Sequence, residues 1–201
     1  MLTPKNGLKA DKGRSYREIE RIAARWRQQL GYAPLAAFDA KHFFEFEVAS
    51  LKLTTRDGEI DVFNHVQPCS EEGLTRWDTD ESQLELILSE ASYRDLQDGL
   101  SRPRFTVCHE FGHAVLHTNE LVRLAGLSIE RQAAMYRARE HSKCYDSEWQ
   151  ANAFAAAMLM PAEGVILLES RYGYVNEDLV ADNFVTSTLA ARYRLESMTK
   201  V

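Results

Sequence analysis

The chain has 201 residues, 45% of them hydrophobic and 27% charged, with a formal net charge of −6. That balance excludes general disorder and suits a single folded domain with its own core. Three cysteines, few and odd in number, argue against a disulfide framework and for a reducing compartment. No apolar run approaches the roughly 20 residues of a membrane helix. The first residues are basic with no apolar stretch behind them, unlike a secretory leader. A cytoplasmic protein with no membrane partner is expected.

Charge is uneven along the chain. Residues 1–27 carry eight basic and three acidic side chains, and residues 28–100 carry five basic and fifteen acidic. The basic start is read as a solvated helix face, with contact to nucleic acid or an acidic partner as the alternative. The acidic middle repels phosphate backbones and disfavours direct nucleic-acid binding.

In chain order, residues 1–14 read as a flexible tail, and 15–201 as one domain. A helix-plus-sheet part (15–100) precedes a helical part (101–201). Ser15 and Glu18 have capping-box spacing, and a helix follows to Leu30, ended by Gly31. Ile19, Ile22, Ala23, Trp26 and Leu30 form its apolar stripe. Strands are expected near 44–55 and 59–64, joined by a hairpin at Asp57-Gly58. Residues 66–82 read as an acidic loop, 84–89 as a strand, and 90–102 as helical or irregular. Pro103 can open a helix at its first turn. Helices are expected over 104–117, 128–141, 148–160, 162–171 and 183–197. The class is α+β, a small sheet with helices predominating after it.

His109-Glu110-Phe111-Gly112-His113 carries the chemistry. Residues four apart on a helix lie one turn apart, so both imidazoles can bind one tetrahedral Zn²⁺. Glu110 borders the same face and can take a proton from water that the metal polarises. Gly112 costs a helix roughly 1 kcal/mol against Ala, which suggests close backbone packing there. The alternative is two helix histidines with no metal.

A catalytic site needs a third protein ligand. His117 lies two turns, about 12 Å, beyond His109 on a straight helix, too far to share that metal. It is read as supporting a ligand, facing substrate or lying at the surface. Glu148, near the start of an apolar helix, is the best third ligand. Its alternative role is to complement the helix dipole. Asn152, one turn on, is a polar residue in an apolar run and can hold a ligand imidazole.

The blocks Arg104–His117 and Glu148–Pro161 resemble the ImmA/IrrE family of zinc metallopeptidases. The resemblance rests on R-F-T-x-x-H-E-x-G-H-x-x-x-H and on an acidic residue before A-N-x-F-A, ending in L-M-P. It implies a zincin-like fold, zinc held by His109, His113 and Glu148, and Glu110 as general base. It also implies a helix-turn-helix transcriptional repressor as the protein cleaved. The family's final helical segment is matched only in part, by Leu189–Ser197. An alternative function is a non-proteolytic regulator that binds a repressor or antitoxin with a structural or vestigial metal. A Cys69-His-His site like that of peptide deformylases is disfavoured, because those enzymes have Asp where Gly112 stands. Cys108 is expected to pack as a small apolar group, and an approach of Cys144, near Glu148 in sequence, to the metal is the less favoured reading of that residue. His117, His141, Tyr145, Tyr172 and Tyr174 are candidates to stabilise an oxyanion, and none stands out.

Overall fold

The computed structural model describes residues 8–55, 58–128 and 142–199. The helix expected over 128–141 falls almost wholly outside them. The architecture is α+β, consistent with a zincin-like domain. It has one four-stranded mixed sheet and, among the described residues, eight α-helices.

Helix α1 (Tyr16–Gln29) starts where Ser15 Oγ accepts the Glu18 N–H at 3.2 Å, and Gly31 at φ 77° closes it. Ile19 and Ala23 are buried, and Ile22, Trp26 and Leu30 pack beside them. Arg27 is not part of a solvated basic face. It is 2% exposed and donates to the carbonyls of Met158, Ala33 and Ala36 at 2.6–2.9 Å.

The expected strand over 44–55 is mostly helical. Asp39 caps the short α2 (Ala40–His42), which runs on as a π-helix, Phe43–Glu47, and a 3-10 turn, Val48–Ser50. This winding buries Phe43, Phe44 and Val48 together, and burial overrides the β preference of these residue types. Only β1 (Lys52–Thr54) remains. It pairs antiparallel with β2 (Glu59–Gln67) across the expected hairpin.

The expected acidic loop contains strand β3 (Gly73–Asp78), and β4 (Gln83–Ser89) is the strand foreseen at 84–89. The sheet order is β1-β2-β4-β3, with β4 parallel to β2 and antiparallel to β3. Arg76 pairs with Glu85 across the ladder, its Nε 2.6 Å from the carboxylate. β3 escaped sequence reading because an edge strand tolerates polar side chains.

Helix α3 (Glu90–Gln97) leads to α4 (Ser101–Ala125), which packs on β3, β4 and α5 (Ser147–Leu159). α6 (Ala162–Tyr172) follows. The helix expected over 183–197 is two helices, α7 (Glu177–Phe184) and α8 (Thr188–Met198). Val185 turns left-handed at φ 54°, and Ser187 Oγ caps the new helix by accepting the Ala190 N–H. One buried cluster runs from Ile19 on α1 to Ala191 on α8. Among the described residues no single helix is long and apolar enough to cross a membrane.

The tail expected over 1–14 is anchored where it is described. Lys9 bridges Asp146, Ala10 N–H donates to Tyr145 O at 2.8 Å, and Arg14 N–H donates to Cys144 O at 2.9 Å. Leu8 and Ala10 are buried. The polar composition of this segment hid its anchoring, because partners such as Glu120, Cys144 and Tyr145 lie 109 or more residues away along the chain.

Candidate metal centre

α4 begins with Pro103 in its first turn, where the missing N–H costs nothing. Arg104 fastens this end by donating to Phe38 O at 2.7 Å. One face of α4 is pinned by Phe111, whose ring meets Trp26, Phe43 and Phe154 at centroid distances of 4.8–5.6 Å. Beside it, a Cβ on Gly112 would stand 3.1 Å from Phe154 Cδ1 and 3.2 Å from Ala151 Cα. The expectation of close backbone packing at Gly112 is met: α5 lies directly there. With Phe111 and Gly112 turned inward, His109 and His113 share the face that lines the cleft.

Asp146 caps α5 by accepting the N–H groups of Glu148 and Trp149 at 3.0 and 3.1 Å. This brings Glu148 over the same turn of α4. His109 Nε2 lies 3.2 Å from Glu148 Oε2, His113 Nε2 lies 3.3 Å from Oε1, and the two Nε2 atoms are 3.0 Å apart. Ligand atoms of one tetrahedral zinc with bonds near 2.0–2.1 Å sit about 3.3 Å from each other. The Nδ1 atoms are engaged elsewhere, so both Nε2 atoms and a carboxylate converge with little between them but a cation's space. The donor set therefore fits a divalent metal ion. Among the described residues this is the one such His/Cys/Asp/Glu group.

The electrostatics agree. Burial disfavours an ionised Glu148, but the two facing imidazoles outweigh it and hold its carboxyl well below the usual range. Burial lowers the pKa of His109, yet Glu148 and then Glu110 raise it more, so the net shift is upward. Glu148 and Glu110 thus place negative charge beside the two rings, which favours a cation there.

Asn152 does what its position suggested: its Oδ1 lies 3.0 Å from His109 Nδ1. It is exposed, however, and not inside the apolar run. His117 is buried and not at the surface, and it lies against His113 at the cleft. α4 kinks at His117 (φ −128°, ψ 18°), where the Thr118 hydroxyl bonds back to Ala114 O. The bend carries the ring to His113, with the two Nδ1 atoms 3.1 Å apart.

Glu110 is 6% exposed and backs onto the sheet. Thr75 Oγ1 on β3 lies 2.8 Å from Glu110 Oε2 and 2.9 Å from its backbone oxygen. A Cβ on Gly73 would come within 2.7 Å of Thr106 Cγ2 and 2.8 Å of Glu110 Cγ. β3 thus shapes the seat of this carboxylate. His109, His113, Glu148, Glu110, Gly73 and Thr75 share a cleft of about 850 Å³. Sequence reading missed Thr75, Gly73 and Gln150. A threonine in a strand, a glycine in a polar stretch and a glutamine in a helix are each ordinary, and nothing local marks them.

The remaining candidates fall away from the centre. Cys69 Sγ bonds to Glu71 O and Cys144 Sγ to Ser142 Oγ, and neither joins the donor group. Cys108 is fully buried, as expected, and burial pushes its thiol up to about 12. Tyr145, Tyr172 and Tyr174 do not line the cleft, and His141 lies outside the described residues. Residues 97–196 match the family model described as the IrrE N-terminal-like domain, Peptidase_M78. No curated protein matches the chain significantly.

Proposed function

The chain belongs to the ImmA/IrrE family, a family of peptidases, and from that premise we propose that it is a zinc-dependent endopeptidase with Glu110 as its general base. The observation that carries the proposal is the approach of His109, His113 and Glu148 to 3.0–3.3 Å beside a carboxylate held by a different layer of the fold. His109, His113 and Glu148 would hold a divalent cation, which would supply Lewis acidity to polarise a scissile carbonyl and acidify water. Thr75 ties one Glu110 oxygen, and the other takes the proton of the attacking water. Glu110 then delivers that proton to the departing amine nitrogen. The outer edge of β3, which among the described residues pairs only with β4, borders the cleft and suits an extended peptide adding as a further strand.

The substrate class we propose, from the family resemblance, is a helix-turn-helix repressor whose cleavage releases the genes it silences. The three unbridged cysteines support a reducing cytoplasm as the setting. Glu110→Gln tests the mechanism. It should keep stoichiometric zinc while cleavage of the repressor falls by about 10²–10⁴-fold. Undiminished cleavage would remove Glu110 from the reaction. A stable complex with wild-type protein and no fragments would favour the non-proteolytic regulator instead.

A further inference from the structure

We propose that His117 and Gln150 are positioning residues that fix the tautomer of His113, so that its Nε2 lone pair is always the one presented to the metal. This rests on the reading of His109, His113 and Glu148 as a metal centre. The proton order can be deduced from neighbours that have only one possible role.

Gln150 is completely buried. Its Nε2 lies 2.9 Å from Lys12 O and 2.7 Å from Cys144 O, and carbonyl oxygens only accept. Its Oε1 lies 3.0 Å from Arg14 Nη1, and a guanidinium only donates. Three independent neighbours therefore select the same amide orientation. With Oε1 limited to accepting, His117 Nε2, 3.1 Å away, must donate to it. His117 is 2% exposed, and an imidazole that donates from Nε2 carries its one tautomeric proton there. Its Nδ1 is left with a lone pair, facing His113 Nδ1 at 3.1 Å. His113 must then carry its own proton on Nδ1, and its Nε2 is free to coordinate.

The order runs Arg14 and Gln150 to His117 to His113, with no exposed member between Gln150 and the ligand ring. His109 has no equivalent. Its Nδ1 meets an exposed Asn152, whose amide nothing comparable orients. Lys12 O, Cys144 O and the Arg14 guanidinium thereby become part of the metal centre's support. That gives the anchored N-terminal segment a role beyond packing.

The test combines two readouts besides activity. Imidazole ¹⁵N spectra of metal-free protein at pH 8 report each ring's proton position. Competition with a chromogenic chelator gives zinc affinity for wild type, His117→Leu and His117→Asn, with melting of each metal-free form alongside. We expect His117 protonated at Nε2 and His113 at Nδ1. His117→Leu should weaken zinc by about 10–100-fold. His117→Asn, whose amide oxygen can stand where Nδ1 was, should recover most of that loss. A proton on His117 Nδ1 would overturn the proposal. So would undiminished zinc binding by His117→Leu, or a failure of His117→Asn to recover affinity while melting like wild type. Should His117→Leu fail to fold, the wild-type spectrum still decides. The expected tautomers in a protein that binds no zinc would uphold the hydrogen-bond order and sink the metal reading instead.

Discussion

On the helical wall of the cleft, α4 and α5 approach at Gly112 so closely that an added Cβ would press on Ala151 and Phe154, and the three donor groups sit across that contact. On the sheet wall, β3 is an edge strand whose Gly73 and Thr75 meet Glu110. One wall gathers the three donor groups and the other seats the Glu110 carboxylate. The two tasks are thus assigned to different layers of the fold, and substitutions should separate them.

The largest effect belongs to the helical wall. Glu148→Ala or His113→Ala should abolish stoichiometric zinc after dialysis, measured by metal analysis, and cleavage with it. Retention of a full equivalent by either variant would break the comparison. On the sheet wall, Thr75→Val should leave zinc affinity unchanged and lower kcat about 10–100-fold. That is the range for a lost hydrogen bond to a charged group, about 1.5–3 kcal/mol. Thr75→Ser should restore the rate, and a Thr75→Val variant with weakened zinc would show that the walls are not independent.

The two glycines sharpen the same division. Gly73→Ala presses on the Glu110 and Thr106 side chains. It should cost about 1–3 kcal/mol of stability and lower the rate more than the metal affinity. Gly112→Ala presses on the backbone of α5 and should weaken zinc more than its effect on kcat. Paired thermal melts and chelator competitions would reveal a reversed order. The smallest effect is chemical. Cys108, buried in the helical layer with its thiol near 12, should resist thiol reagents at pH 8 until the protein unfolds. Cys69 and Cys144, both half-exposed, should react in the native state. Early loss of three thiols would mean that the helical wall opens readily.

Much of this wall was legible without coordinates. The four-residue spacing of His109 and His113 dictates a shared helix face, and an acidic residue one turn before Asn152 places both on one side of α5. Gly112 could be read as a contact point because a helix interior discourages glycine. The sheet wall was not legible in the same way. β3 lies in a polar stretch, and its pairing with β4 depends on partners five to fifteen residues away. The aromatic run at 43–50 was misread because its composition favours strands, while packing of Phe43 and Val48 into one cluster decided for a tighter winding.

By itself the sequence determined the α+β class, the helix bearing the two histidines and the candidate carboxylates at 110 and 148. The two histidines and Glu110 stand out by spacing within one turn, and Glu148 by its place one turn before a polar residue in an apolar helix. Tertiary structure alone decided that Thr75 seats Glu110, that Arg27 is an internal brace, and that Gln150 reaches His113 through His117. The longest links in them, Gln150 to His117, Thr75 to Glu110 and Arg27 to Met158, join residues 33, 35 and 131 positions apart. No local pattern encodes them, because burial and hydrogen-bond satisfaction are settled only when the distant segments meet.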